Sequence, residues 1–296
     1  MPRLSLERLL GLIAVGAVGT LLALAIPAYI HYRHSRPDLS TVPLPSIPTT
    51  AGTATAQPSV TTGADASVTG TPLVWRGDFD TGDFSQWSEI QALPGRVTIV
   101  TNHVRQGKYA ARFELRSGDQ VTRRGERAEI SKITDESAGQ ESWWAWSTYF
   151  PANRFFVETD GTVIFTQWHD PPPYFGKPPV LFGVQNSAGV NYLFVSVRGG
   201  DARAPTVKTW RLGDLQMSHW YDFVFHVKWE SDRTGLVELW LDGTKVVPLT
   251  HIPTLYQGKP VYLKQGNYRH PFDKTSVLYQ DGTRRGMTRA SLGGAT

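Results

Sequence analysis

An all-β sandwich or barrel is predicted for residues 73–296, on three observations. Successive segments alternate apolar and polar residues with a period of two, as half-buried strands do. Turn residues stand between them, and Asp242-Gly243 carries the composition of a two-residue hairpin turn. No stretch of this region shows a long helical period, and many short strands joined by turns form antiparallel sandwiches or barrels.

The segments follow one another along the chain. "VTIVTNHVRQGKYAARFEL" (97–115) reads as two strands around a turn at Gly107. "ERAEISKI" (126–133) is short and alternating, and "SWWAWSTYF", "GTVIFTQWHD", "VNYLFVSVRGG", "WYDFVFHVKW" and "GLVELWLDGTKVV" continue the series. Parity assigns the faces. Ala128 and Ile130 oppose Arg127, Glu129 and Ser131; Leu193, Val195 and Val197 oppose Tyr192, Phe194, Ser196 and Arg198. Val261 and Leu263 oppose Tyr262, Lys264 and Tyr268, and Phe165, Gln167 and His169 are expected to share a face opposite Ile164, Thr166 and Trp168. Trp144, Trp146, Trp220 and Trp229 are expected in the core, and His226 on the polar face of its strand. One sheet therefore presents an aromatic and polar face, the lining of a groove suited to sugars.

The first 72 residues are of another kind. Residues 9–30, "LLGLIAVGAVGTLLALAIPAYI", form an uncharged apolar run long enough to span a bilayer, preceded by Arg3 and Arg8. It reads as an uncleaved anchor or as a signal cleaved near "ALA" at 23–25, and Arg33 and Arg36 behind it blunt any assignment of orientation. Residues 37–72 are rich in Pro, Thr, Ser, Ala and Gly and read as a disordered stalk. The boundaries are thus 1–36, 37–72 and 73–296, with the last domain secreted or held outside the cytoplasm by the N-terminal segment.

The chain carries a modest net charge of +4, 10 Trp, 11 Tyr and no Cys, which excludes disulfides. Basic character with many aromatics suits nucleic acid or an acidic polysaccharide. P-loop, dinucleotide-binding, paired-cysteine zinc and nucleophile-elbow patterns are all missing.

Three blocks carry the chemistry: "ERAEI" (126–130), "FTQWHD" (165–170) and "YLKQGNYRH" (262–270). Together they offer Arg127, Gln167, His169, Lys264 and Tyr268, a set suited to β-elimination in a uronic-acid polymer. An arginine and an amide at the uronate carboxylate stabilise the charge of the enolate-like transition state. A histidine accepts the proton near neutral pH, and a tyrosine protonates the leaving oxygen or serves as base. No metal or organic cofactor is required. A hydrolase would need two carboxylates across the scissile bond; Glu238 and Asp242 come nearest, and Asp242 is claimed by the turn. A non-catalytic carbohydrate-binding sandwich would need no such set of four.

"RAE", "QWH" and "YLKQGNY" resemble, in order, the three signature blocks of jelly-roll polysaccharide lyases. The stretch 219–246 and the opening "GDFDTGDFSQW" are similar to the heparin-lyase-like and glucuronan-lyase-like branch, and the resemblance covers 75–292. Trp168 and Gln265 depart from the alginate-lyase blocks. The resemblance implies a concanavalin-like jelly-roll sandwich with Arg127 and Gln167 at the carboxylate, His169 as base or carboxylate partner, and Tyr268 as acid or acid/base. Lys264, Tyr262 and Arg198 would bind substrate, with Glu129 holding Arg127. Asp78 and Asp80 would offer oxygen ligands for a structural calcium as in related sandwiches. The partner implied is an acidic polysaccharide, not nucleic acid, acted on by a monomer. A glucuronate-like chain is favoured, with Lys264 expected to help hold the Tyr268 phenolate.

Overall fold

The computed structural model describes residues 73–122, 125–172 and 177–293. The N-terminal run, the stalk and the tip of the Pro-rich loop (173–176) lie outside the described residues. Sixteen strands are described: β1 (Leu73–Gly77), β2 (Glu89–Ala92), β3 (Val97–Val100), β4 (Ala110–Leu115), β5 (Gln120–Thr122), β6 (Gly125–Glu136), β7 (Glu141–Tyr149), β8 (Thr162–His169), β9 (Val180–Ser187), β10 (Val190–Gly199), β11 (Thr206–Asp214), β12 (Trp220–Lys228), β13 (Leu236–Leu241), β14 (Thr244–His251), β15 (Val261–Arg269) and β16 (Ser276–Gly286). Only a short 3-10 turn at Ala290–Leu292 is helical among the described residues after β16.

All strand pairs are antiparallel and fall into two sheets. One has the order β14-β13-β12-β7-β16-β4-β3, with β1 also on β16; the other, called here the groove sheet, has the order β11-β10-β9-β8-β15-β6-β2, with β5 on β6. The apolar faces of both sheets meet in one core that includes Trp144, Trp146, Phe165, Trp168, Phe182, Phe223, Phe225 and Trp229. The hairpin β13–β14 turns at Asp242 (φ 49°) and Gly243 (φ 76°), two consecutive left-handed residues as its composition requires.

Two expectations are corrected. Trp220 is only part-buried, because Tyr221 takes the inward position on β12. In β8, Phe165 and Trp168 both point into the core, although parity put them on opposite faces. The pairing of β8 with β9 shifts between Ile164 and Thr166, a β-bulge that absorbs Phe165 and resets the alternation. Gln280, from the opposite sheet, donates to the Phe165 carbonyl at 2.9 Å and to Thr166 Oγ1 at 3.2 Å, so the irregular backbone is satisfied inside the sandwich.

A second bulge lies beside it. The pairing of β15 with β8 shifts between Gln265 and Tyr268, across Gly266. Gly266 has φ +139°, and a Cβ there would stand 2.3 Å from the Ala128 carbonyl oxygen. Gln265 and Asn267 then face inward: Thr283 Oγ1 donates to Gln265 Oε1 at 2.7 Å, and Asn267 Nδ2 donates to the Ser276 carbonyl at 3.3 Å.

Asp281 on β16 is fully buried and accepts the backbone N–H groups of Arg105 (2.8 Å) and Gln106 (3.0 Å). Burial pushes its carboxyl up from 3.8 to about 7, against the pull of those donors, and the Asp80 charge adds to the rise. A raised acid favours folding below its unfolded pKa, and that contribution is lost as pH rises from 3.8 through about 7. Asp281→Asn keeps an acceptor for both N–H groups. Its melting temperature relative to wild type is expected to increase steadily from pH 4 to pH 8; a difference that does not change with pH would refute the assignment.

Candidate active site

The candidate residues come together on the outward face of three adjacent strands, β8, β15 and β6. The register sets the array. Tyr262 stands opposite His169, and Lys264 opposite Gln167 on β8 and Ser131 on β6. Gly266 stands opposite Glu129, and Tyr268 opposite both Arg127 and Ile164. The glycine gap lets Glu129 lie between the Lys264 and Tyr268 positions without a competing side chain.

Glu129 is the centre of the cluster. It is 1% exposed; its carboxylate accepts from Gln167 Nε2 at 2.5 Å and Lys264 Nζ at 2.7 Å, and forms an ion pair with Arg127 Nε at 2.8 Å. Burial acts to raise the Glu129 carboxyl, but the charges of Lys264 and Arg127 outweigh it and hold it below the usual range. Lys264 shares that carboxylate with Arg127 and does not recover the full cost of its own burial, which pulls its ammonium down. Because a carboxylate only accepts, the Gln167 amide is fixed with its nitrogen toward Glu129.

Lys264 is therefore corrected from a substrate-binding residue to a buried structural cation, 2% exposed. Its ammonium is paired with Glu129, and the Arg127 guanidinium lies 5.1 Å from the centroid of the Tyr268 ring. Arg127 is also bonded to Gln91 Oε1 at 3.4 Å, a β2 residue that the pattern of blocks did not reveal. Glu129 holds Arg127 as expected, but is too buried to touch substrate itself.

His169 is part-buried at the end of β8. Its Nδ1–H donates to the Asp170 carbonyl at 2.9 Å, and Asp170 Oδ1 is 3.2 Å from the same nitrogen. Arg198 lies further across the face on β10, where its guanidinium donates to Ser196 at 3.1 Å and meets Tyr256. His226 belongs to the other sheet: it stacks on Trp143 at 4.0 Å and bonds Glu141 and Glu238, outside the groove. Glu238 is further engaged by Lys245, and Asp242 by His219, so neither carboxylate serves a hydrolytic pair in the groove.

Asp78 and Asp80, the expected calcium residues, accept hydrogen bonds from the chain itself. Asp78 Oδ1 accepts from Gln86 at 2.9 Å and its Oδ2 is paired with Arg76 at 3.0 Å, while Asp80 Oδ1 accepts the backbone N–H of Lys108 at 2.7 Å. Among the described residues no three His, Cys, Asp or Glu side chains are grouped as metal ligands.

The fold has relatives among solved structures. An endo-β-1,4-glucuronan lyase from the fungus Trichoderma reesei superposes with a TM-score of 0.63 at 18% identity, over 74% of this chain and 98% of that one. An alginate lyase crystallised with an alginate trisaccharide gives 0.53 at 13% identity, over 74% and 100%. The catalytic domain of a glycoside hydrolase family 131 protein from Coprinopsis cinerea gives 0.53 at 14%, over 76% and 99%. At these identities the likeness establishes the jelly-roll sandwich. No curated protein sequence matches the chain. A family model described as polysaccharide lyase matches residues 79–284, which include every one of the three blocks. The chain belongs to the polysaccharide lyase family.

Proposed function

We propose that the protein cleaves a uronic-acid polysaccharide by β-elimination, with a glucuronate-like chain as the favoured substrate. The observation that carries the reading is the gathering of Arg127 and Gln167 around one buried carboxylate, with His169 and Tyr268 at flanking positions of the same sheet face. Arg127 meets the uronate carboxylate and, with the second N–H of the Gln167 amide whose first is held by Glu129, stabilises the charge that develops when the carbon 5 hydrogen leaves. The electron pair of that C–H bond forms the carbon 4–carbon 5 double bond as the carbon 4–oxygen bond breaks. The leaving oxygen takes a proton from the Tyr268 hydroxyl.

In glucuronate and mannuronate chains the hydrogen and the leaving oxygen lie on the same side of the ring, so Tyr268 alone can act as base and then acid. In guluronate and iduronate they lie on opposite sides and two groups are needed. The fold likeness to a glucuronan lyase supports the first case. The apolar run 9–30 and the stalk behind it support action outside the cytoplasm, as a secreted or anchored monomer.

The test is a panel of uronate polymers followed by the ultraviolet absorbance of the unsaturated product. Glucuronan is expected to give it; folded protein that binds these polymers yet yields no absorbance from any would leave a binding module. On a glucuronate chain, His169→Ala is expected to cost less rate than Tyr268→Phe, and on a guluronate chain about as much. The reverse ranking would count against the assignment of Tyr268.

A further inference from the structure

Asp170 follows His169 at the end of β8 and is 1% exposed. The sequence analysis gave it no role. Its carbonyl oxygen and its Oδ1 are the two atoms set against His169 Nδ1, at 2.9 and 3.2 Å. Both are acceptors in the ionised residue, so the proton of the neutral ring sits on Nδ1 and the lone pair on Nε2.

The carboxylate is held ionised. Burial acts to raise it, but the hydrogen bond and charge of His169 and of Lys259 outweigh burial and keep it low. Lys259 Nζ contacts Oδ2 at 3.1 Å, while Oδ1 faces the ring nitrogen at 3.2 Å. The carboxylate therefore stands beside the ring that becomes positively charged when Nε2 takes up a proton. Tyr262 on β15 pairs with His169 across the β15–β8 ladder.

We propose that Asp170 is a positioning residue that sets His169 to act as a base through Nε2, equipping the chain to cleave uronates whose carbon 5 hydrogen and carbon 4 oxygen lie on opposite sides of the ring. This rests on the lyase reading and extends its substrate range. The C–H bond at carbon 5 breaks and its proton passes to Nε2. The electron pair closes the double bond, the carbon 4–oxygen bond opens, and the departing oxygen takes the Tyr268 proton. The imidazolium then returns its proton to water. A same-side chain needs Tyr268 only, so Asp170 matters little there.

The experiment uses the full chain with two polymers that differ at carbon 5, polyguluronate and polymannuronate. Wild type is expected to cleave both. Asp170→Asn is expected to lower kcat on polyguluronate by ~10-fold or more with KM within ~2-fold, as loss of support to a general base does. On polymannuronate the same variant keeps its rate within ~3-fold, since the reaction there bypasses the base. In an H169A background D170N is expected to add no further loss, the signature of a residue acting through another. Equal losses on both polymers, a full additional loss in H169A, or a wild type that cleaves only polymannuronate would each overturn the proposal. Nitrogen-15 spectra of the wild-type ring give a check independent of how the variants fold: Nδ1 protonated in the neutral form is expected, and Nε2 protonated overturns it. No product from any uronate polymer would overturn the lyase reading and the base role with it, while the ring spectra still decide the tautomer.

Discussion

Tyr268→Phe is expected to abolish turnover while polysaccharide binding and the fold survive. The ring of Tyr268 is part of the packing: a Cβ added at Gly125 would come within 3.0 Å of it, and the Arg127 guanidinium lies 5.1 Å from its centroid. Phenylalanine keeps both contacts and removes the hydroxyl proposed to exchange protons with substrate. Loss of a general acid–base group lowers rate by ~10²–10⁴. The measurement is kcat from product absorbance, with melting temperature and equilibrium binding as controls. A variant that keeps more than about a tenth of the wild-type rate, short of the loss a proton-transfer group carries, would reduce this face to a binding surface.

The second large effect is on stability. Glu129→Gln preserves shape but takes away the carboxylate paired with the Lys264 ammonium, and both partners are 2% exposed at the side chain. Removing one partner of a buried pair costs ~3–5 kcal/mol, because the other charge is left uncompensated. Denaturant unfolding of Glu129→Gln is expected to show a loss of that order. Adding Lys264→Met removes the stranded charge and is expected to return most of it, since a neutral pair is often as stable as the ionic one. Activity is expected to stay low in the double variant, because Arg127 and Gln167 have lost the acceptor that orients them. If the double variant is less stable than Glu129→Gln alone, the buried-charge account fails.

The same pair defines how the site responds to acid. The Glu129 carboxyl is held below its ordinary range, so its contribution is present above the unfolded pKa and lost as pH falls through the folded one.

Much of this geometry was legible because alternation along β6, β10 and β15 is regular where it matters. Arg127 and Glu129, Tyr192 to Arg198, and Tyr262 with Lys264 all fall on the face that parity assigns. In β8 the reading failed at one residue. A period-two pattern presumes an unbroken ladder, and the bulge at Phe165 inserts a residue into it. The signal available was the spacing of Phe165 and Trp168, two large apolar side chains three apart, which no regular strand can bury on one side. Lys264 was misjudged for a different reason. Its burial depends on which strands flank β15, and that order is long-range information. Asp170 was overlooked because a carboxylate beside a histidine means little until it is known to be buried.

The inward amides of β15 have a consequence for how the chain finds its structure. A slip of β15 by one residue would turn Gln265 and Asn267 outward and drive Lys264 between the sheets. A stranded ammonium there costs several kcal/mol, and the abandoned partner Thr283 and the Ser276 carbonyl add ~1–3 kcal/mol each. Near-miss registers of this strand are therefore not shallow traps but steeply penalised states. β15 works like a key cut to enter one way, so that misthreaded chains release it and try again before the sandwich closes.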